Sequence, residues 1–169
     1  CLSRGLGDVY KRQGMLPNFI MQEDCPIPII REFLAGIFGG DGHTCYLTKH
    51  RGKRDLLTSI SFSRSSVGSN LKHLETYMQQ LQTLLRRLGI EKTTIQKPKE
   101  TSWSKQQDRK CSESKCYQLL LHLDMSALIP FHDKIGFRYN CHKSLRLEAG
   151  TSYRRLRETT IKQHDWIVN

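Results

Sequence analysis

Six apolar residues, Leu71, Leu74, Met78, Leu81, Leu85 and Leu88, recur at steps of three and four and constrain this chain more than any other feature. That spacing puts them on one face of an α-helix. Ser69 or Asn70 offers an N-cap, and Gly89 a stop. A helix that is apolar on one side only needs a second layer to cover it. The flanking sequence supplies strands for that layer. In Leu56–Arg64, Ile60 and Phe62 alternate with Ser59, Ser61 and Ser63, the period of a half-buried strand. In Tyr117–Leu123, Leu119, Leu121 and Leu123 face one way, and Gln118, Leu120 and His122 the other.

The remaining segments extend the pattern. Met15–Asp24 is a lead-in, and Pro26 and Pro28 punctuate the entry to a helix over Ile29–Phe38. Gly39, Gly40 and Gly42 read as its end. His43–Thr48 and Leu56–Arg64 read as a strand pair around the polar turn Lys49–Asp55. Its first strand leaves two settings open, since an inward Tyr46 would turn Cys45, Leu47 and Lys49 outward. Ile90–Lys97 predicts a third strand, with Ile95 inward and Thr94 and Gln96 outward. A basic loop covers Pro98–Lys115, a short helix Ser126–Ile135 is closed by Gly136, and a basic amphipathic helix spans Leu145–Lys162. The order αββαββα predicts an α+β fold, an antiparallel sheet with helices on its apolar face. Ser59, Ser61, Ser63, Thr94, Gln96, Gln118 and His122 are left for the other face.

Charge narrows the partner. Lys and Arg number 27 against 16 Asp and Glu, a formal net charge of +11. That excess points to a polyanion, nucleic acid before an anionic membrane surface. No apolar run approaches the ~18 residues of a membrane-spanning helix, and no signal peptide is visible. Six cysteines are too few for a disulfide scaffold and fit a reducing compartment. Cys111 and Cys116, with Cys141 and His142, lack the paired spacing of a zinc site. Cys1–Gln13, ending GDVYKRQ, resembles translated sequencing-adaptor read-through, which would leave the native chain truncated upstream. It is set apart from a repeat expected over 14–166. Its three basic residues against one acid leave the basic excess standing.

The segment Arg31–His43 reads REFLAGIFGGDGH. Ala35, Gly36 and Gly40 are small residues at spacings that share a helix face, which allows two such helices to approach backbone to backbone. On its own, GGDG is equally a helix C-cap and turn. Leu34–Gly42, LAGIFGGDG, closely resembles the signature of the LAGLIDADG homing endonucleases. The resemblance covers about Leu16–Lys162. LPNF at Leu16–Phe19 and FHDKIGFRYNCHKSLRLEAG at Phe131–Gly150 resemble the intein-associated branch. The family's sixth signature position is often acidic, and here it is Gly39.

The resemblance implies a saddle-shaped antiparallel sheet and a metal-dependent nuclease that cuts double-stranded DNA at a long site. It implies Asp41 as metal ligand and catalytic acid position, with Mg²⁺ or Mn²⁺ as cofactor. It also implies Lys143 as catalytic lysine, whose other reading is a phosphate-binding or solvated side chain. The partner would be a second LAGLIDADG repeat, from a lost upstream half or from a homodimer. A twisted antiparallel ribbon fits the major groove, where Ser59, Ser61, Ser63, Thr94, Gln96, Gln118 and His122 would read bases. Lys49, Arg51, Lys53 and Arg54 on one hairpin tip would meet phosphates, as would Lys97, Lys99, Lys105, Arg109 and Lys110 around the other loop. The alternative is a fold relative that binds DNA or RNA without cutting, of maturase or regulator type. Ile167-Val168-Asn169 lacks the His-Asn of an intein's C-terminal end, so splicing is not expected of this chain.

Overall fold

The computed structural model describes residues 15–50, 53–101 and 116–168, so Cys1–Gln13 and Arg51 lie outside the described residues. The chain enters through a short helix, α1 (Asn18–Met21), and passes into α2 (Ile27–Asp41) behind Pro26. The strands are β1 (Gly42–His43), β2 (Leu47–His50), β3 (Lys53–Leu57), β4 (Ser61–Val67), β5 (Thr93–Ile95), β6 (Lys99–Thr101) and β7 (Cys116–Leu123). Between them lies α3 (Leu71–Arg87), and after them come α4 (Leu128–Lys134) and α5 (Cys141–Val168). The fold is α+β. The main sheet runs β1-β4-β7-β5, with β6 also on β7, and every pairing is antiparallel. Among the described residues no helix is long and apolar enough to cross a membrane.

The leucine stripe does what its spacing demands. Leu74, Met78, Leu81 and Leu85 are buried, joined by Tyr77 and Leu84, against Phe62, Leu119, Leu121 and Leu123 of the sheet. Gly89 adopts φ +75°, the left-handed setting that ends a helix at glycine. Asn70 precedes α3, but its side chain makes no capping bond; a 3-10 turn over Gly68–Asn70 leads in instead. A row of aromatic contacts ties the layers together. Phe38 of α2 meets Phe62 of β4 and Phe131 of α4 at ring separations of 5.6 and 5.1 Å, and Phe131 meets Phe137 at 5.3 Å. The Arg87 guanidinium pins the lead-in by donating to the carbonyls of Gln22, Glu23 and Cys25.

Several boundaries differ from expectation, and β6 (Lys99–Thr101) is a strand within the expected loop Pro98–Lys115. Helix α2 does not stop at Phe38: Gly39 and Gly40 are helical, Asp41 is the last residue, and Gly42 caps it in extended geometry. The expected first hairpin is two structures. Residues 42–43 pair with β4, whereas β2 and β3 form a separate two-stranded ribbon. The change falls at Cys45, which is buried, and Tyr46, which is 53% exposed, so Cys45 is the inward residue. The third strand shrinks to Thr93–Ile95, because Ile90 is held in the helix stop by its N–H bond to Leu85 O. The last helix starts four residues early, at Cys141, where the Asn140 carboxamide oxygen accepts the Lys143 N–H at 3.1 Å.

Helix α5 is fastened to α4 through His132. Its Nδ1 lies 2.7 Å from Asp133 Oδ1 and its Nε2 2.5 Å from Glu148 Oε2, while Arg155 donates to Asp133 at 2.7 Å. Partial burial works to lower the imidazole pKa, but the two carboxylates outweigh it and the net shift is upward. A raised folded-state pKa means stabilisation that is complete below about pH 6.5, the unfolded value, and fades as pH rises through the folded one. We therefore expect His132→Gln to destabilise the protein more at pH 6 than at pH 9. Chemical denaturation at both pH values checks this, and a deficit independent of pH would refute it.

Candidate active site and nucleic-acid face

The last carbonyls of an α-helix have no partner within it and carry its negative end. At the end of α2 they are met by Lys143 of α5. Its ammonium donates to Gly40 O at 2.6 Å and Gly39 O at 2.9 Å, with Phe38 O at 3.4 Å. Asn140 Nδ2 adds a bond to Gly39 O at 3.2 Å, and Thr44 Oγ1 donates to Lys143 O at 3.3 Å. Gly39 is buried, and a Cβ there would overlap the Arg138 carbonyl oxygen. Asp41 is exposed at the helix terminus. Burial lowers the Lys143 pKa, and the Asp41 carboxylate opposes that shift. Asp41 and Lys143, 102 positions apart in sequence, therefore lie at the same end of α2.

Asp41 also acts on a second pair of groups, Tyr77 and Arg64, through its charge. The Arg64 guanidinium lies 4.5 Å from the centre of the Tyr77 ring. The Tyr77 phenol is pushed up by burial, drawn down by Arg64, and pushed up again by Asp41. Sequence reasoning missed Asn140, Arg64 and Tyr77. Asn140 was findable as an N-cap three residues before Lys143. Arg64 gave no signal, because it lies on the helix side of a strand whose register reads as apolar there.

The outward face of α2 carries Ile29, Phe33, Gly36 and Gly40, at steps of four, three and four. Ile29 is 48% exposed, Phe33 is half-buried, and a Cβ at Gly36 or Gly40 would meet open space. Ala35, expected on this face, is instead fully buried in the chain's own core. Its angular position on the helix is that of the sheet-facing side. Glu32 beside the face pairs with Arg138 and accepts from the Tyr139 hydroxyl at 3.3 Å.

The sheet's other face is polar. Ser61 stands opposite His122, Ser63 opposite Leu120 and Ser65 opposite Gln118, while Thr94 flanks His122 from β5. A depression of about 340 Å³ gathers Ser61, Ser63, Gln96 and Gln118 with His43, Lys97, Lys99 and Leu120. Ser59 lies beside it, its Oγ 2.5 Å from His122 Nε2. Thr94 and Gln96 are exposed, and the other expected base readers are half-buried. Lys49 belongs to β2, and Lys53 and Arg54 to β3. The ribbon that carries them is separate from this sheet. Lys105, Arg109 and Lys110 lie outside the described residues. Among the described residues no three His, Cys, Asp or Glu side chains converge on a metal position.

A family model described as LAGLIDADG-like domain matches residues 28–136, from the first turn of α2 to the glycine after α4. The tRNA-splicing ligase RtcB of Methanopyrus kandleri is 25% identical over 147 residues, 87% of this chain. The chain spans 13% of the length of that curated relative. No solved structure matches.

The two kinds of glycine in α2 are separable by substitution. Gly39→Ala should destabilise the chain by about 2 kcal/mol, since neither the Arg138 carbonyl nor the helix can give way freely. Gly36→Ala meets open space and should stabilise by about 0.5–1 kcal/mol through helix propensity alone. Denaturant midpoints of both variants test the assignment, which fails if their order is reversed.

Proposed function

The chain belongs to the LAGLIDADG-like domain family, and from that premise we propose that it is one repeat of a site-specific endonuclease acting on double-stranded DNA, carried by an intein. The observation that supports this reading best is the end of α2. There an exposed carboxylate, Asp41, stands with the Lys143 ammonium beside a helix face left bare at Gly36 and Gly40. Cutting a phosphodiester requires negative charge to be neutralised as it develops, and a cation held beside the carboxylate suits that task. The donors here are oxygens, which suit Mg²⁺ or Mn²⁺, and Asp41 would hold such an ion together with its counterpart from a second repeat. The bound ion would supply Lewis acidity toward the scissile phosphate. One carboxylate makes half of such a site, so the reading includes a partner: a homodimer or a repeat encoded upstream.

Binding would fall to the polar sheet face, whose serine, threonine and glutamine side chains suit base edges. The net charge of +11 suits the phosphates. A similarity limited to 13% of a ligase's length supports an inserted element, not ligation. The second reading is a fold relative that binds nucleic acid without cutting. Glycine at position 39 and the commitment of Lys143 to helix carbonyls favour that reading.

The test starts from duplexes that the 169-residue chain enriches from a random pool. With Mg²⁺, the wild-type chain should cleave them, and Asp41→Asn should bind within about twofold while cutting at least 10²-fold more slowly. If both proteins bind alike and neither cuts, the endonuclease reading is lost and the binding module stands.

A further inference from the structure

Among the described residues that line the depression on the polar face, one is apolar, Leu120. Leu120 sits mid-way along β7, the central strand, with its side chain on the face opposite buried Leu119 and Leu121. Its neighbours are polar on every side: Ser63 across on β4, Gln96, whose N–H donates to Leu120 O at 2.9 Å, and Gln118 and His122 two positions away on its own strand. The helices cover the opposite face, so Leu120 packs into neither the core nor an apolar patch of its own. It remains half-buried and lines the depression with the serines and glutamines. It gives the depression an apolar contact point among polar side chains.

Resting on the reading of this face as a DNA surface, we propose that Leu120 is a specificity-determining residue that reads the 5-methyl group of a thymine in the major groove. Each base pair shows donors and acceptors on that edge, and the thymine methyl is its one apolar feature. The polar neighbours cannot distinguish that methyl from a hydrogen, whereas a leucine gains by removing it from water. The glutamines beside it suit the adenine edge of an A·T pair, whose thymine then carries the methyl toward Leu120. One residue set would thus read both strands of a single base pair.

The experiment uses the full chain and duplexes enriched from a random pool, with uracil replacing each thymine of the selected site in turn. Removing the methyl that Leu120 covers should weaken wild-type binding about three- to fivefold, the effect of one methyl-sized apolar contact. Leu120→Asn should become insensitive at that position while keeping the wild-type response elsewhere. Circular dichroism reports whether the variant folds, and Leu120→Gln replaces it if it does not. A purely structural leucine would alter stability and leave the uracil scan unchanged. A flat wild-type scan, or the same sensitive position in the variant, overturns the assignment and leaves DNA binding intact. Failure to enrich any duplex overturns the DNA surface itself, and this inference with it.

Discussion

The site depends on one contact, the Lys143 ammonium on the terminal carbonyls of α2. The Gly39 carbonyl lies in part-buried surroundings, where a polar group left unbonded is costly. Burial at the helix end nevertheless leaves the lysine pKa lowered, with the Asp41 carboxylate opposing the shift. The contact also settles geometry. It brings the start of α5 against α2, and with it the loop whose Arg138 carbonyl lies over Gly39. Asn140 then serves both helices, capping one and bonding the end of the other. Asp41 stands exposed beside them.

The sheet divides its labour by its two-residue period. Phe62, Leu119, Leu121 and Leu123 anchor the aromatic row and α3, while Ser61, Ser63, Gln118 and His122 remain on the open side. A one-residue slip of β4 on β7 would exchange these sets and expose the core, so burying one face also fixes the other. The Ser59–His122 bond lies at the start of this register and helps to hold the imidazole among the serines.

Patterns with a strong period were readable in advance. The stripe of α3, the alternation of β4 and β7, and the glycine stops at Gly89 and Gly136 follow from local rules; the split of the first hairpin and the strand β6 do not. What escaped is non-local. Gly39 and Gly40 look like a helix end because glycine costs about 1 kcal/mol relative to alanine in a helix interior. Nothing near them in sequence tells of Arg138. Tyr46 is the larger side chain, yet Cys45 is inward, since the closeness of Gly150 on α5 leaves room for a thiol. That Asp41 and Lys143 lie at the same helix end had no local signature at all, and only the family resemblance joined them. Ala35 was misassigned for a related reason: smallness suggested close helix approach, but its angle on α2 points to the core.

The glycines of α2 then separate into two physical cases. At Gly39 the propensity cost is offset inside this chain, because the Arg138 carbonyl approaches to where a Cβ would be. At Gly36 and Gly40 no atom of the chain uses the vacant space, so the cost has no internal compensation. These two share their face with Ile29 and Phe33, apolar residues that water does not favour. A helix face that is both bare and apolar gains most from another backbone at close range. Such an approach would bring a second helix end, and a second carboxylate, toward Asp41. The propensity cost at Gly36 and Gly40 and the pairing of carboxylates proposed for Asp41 would then both follow from the same contact.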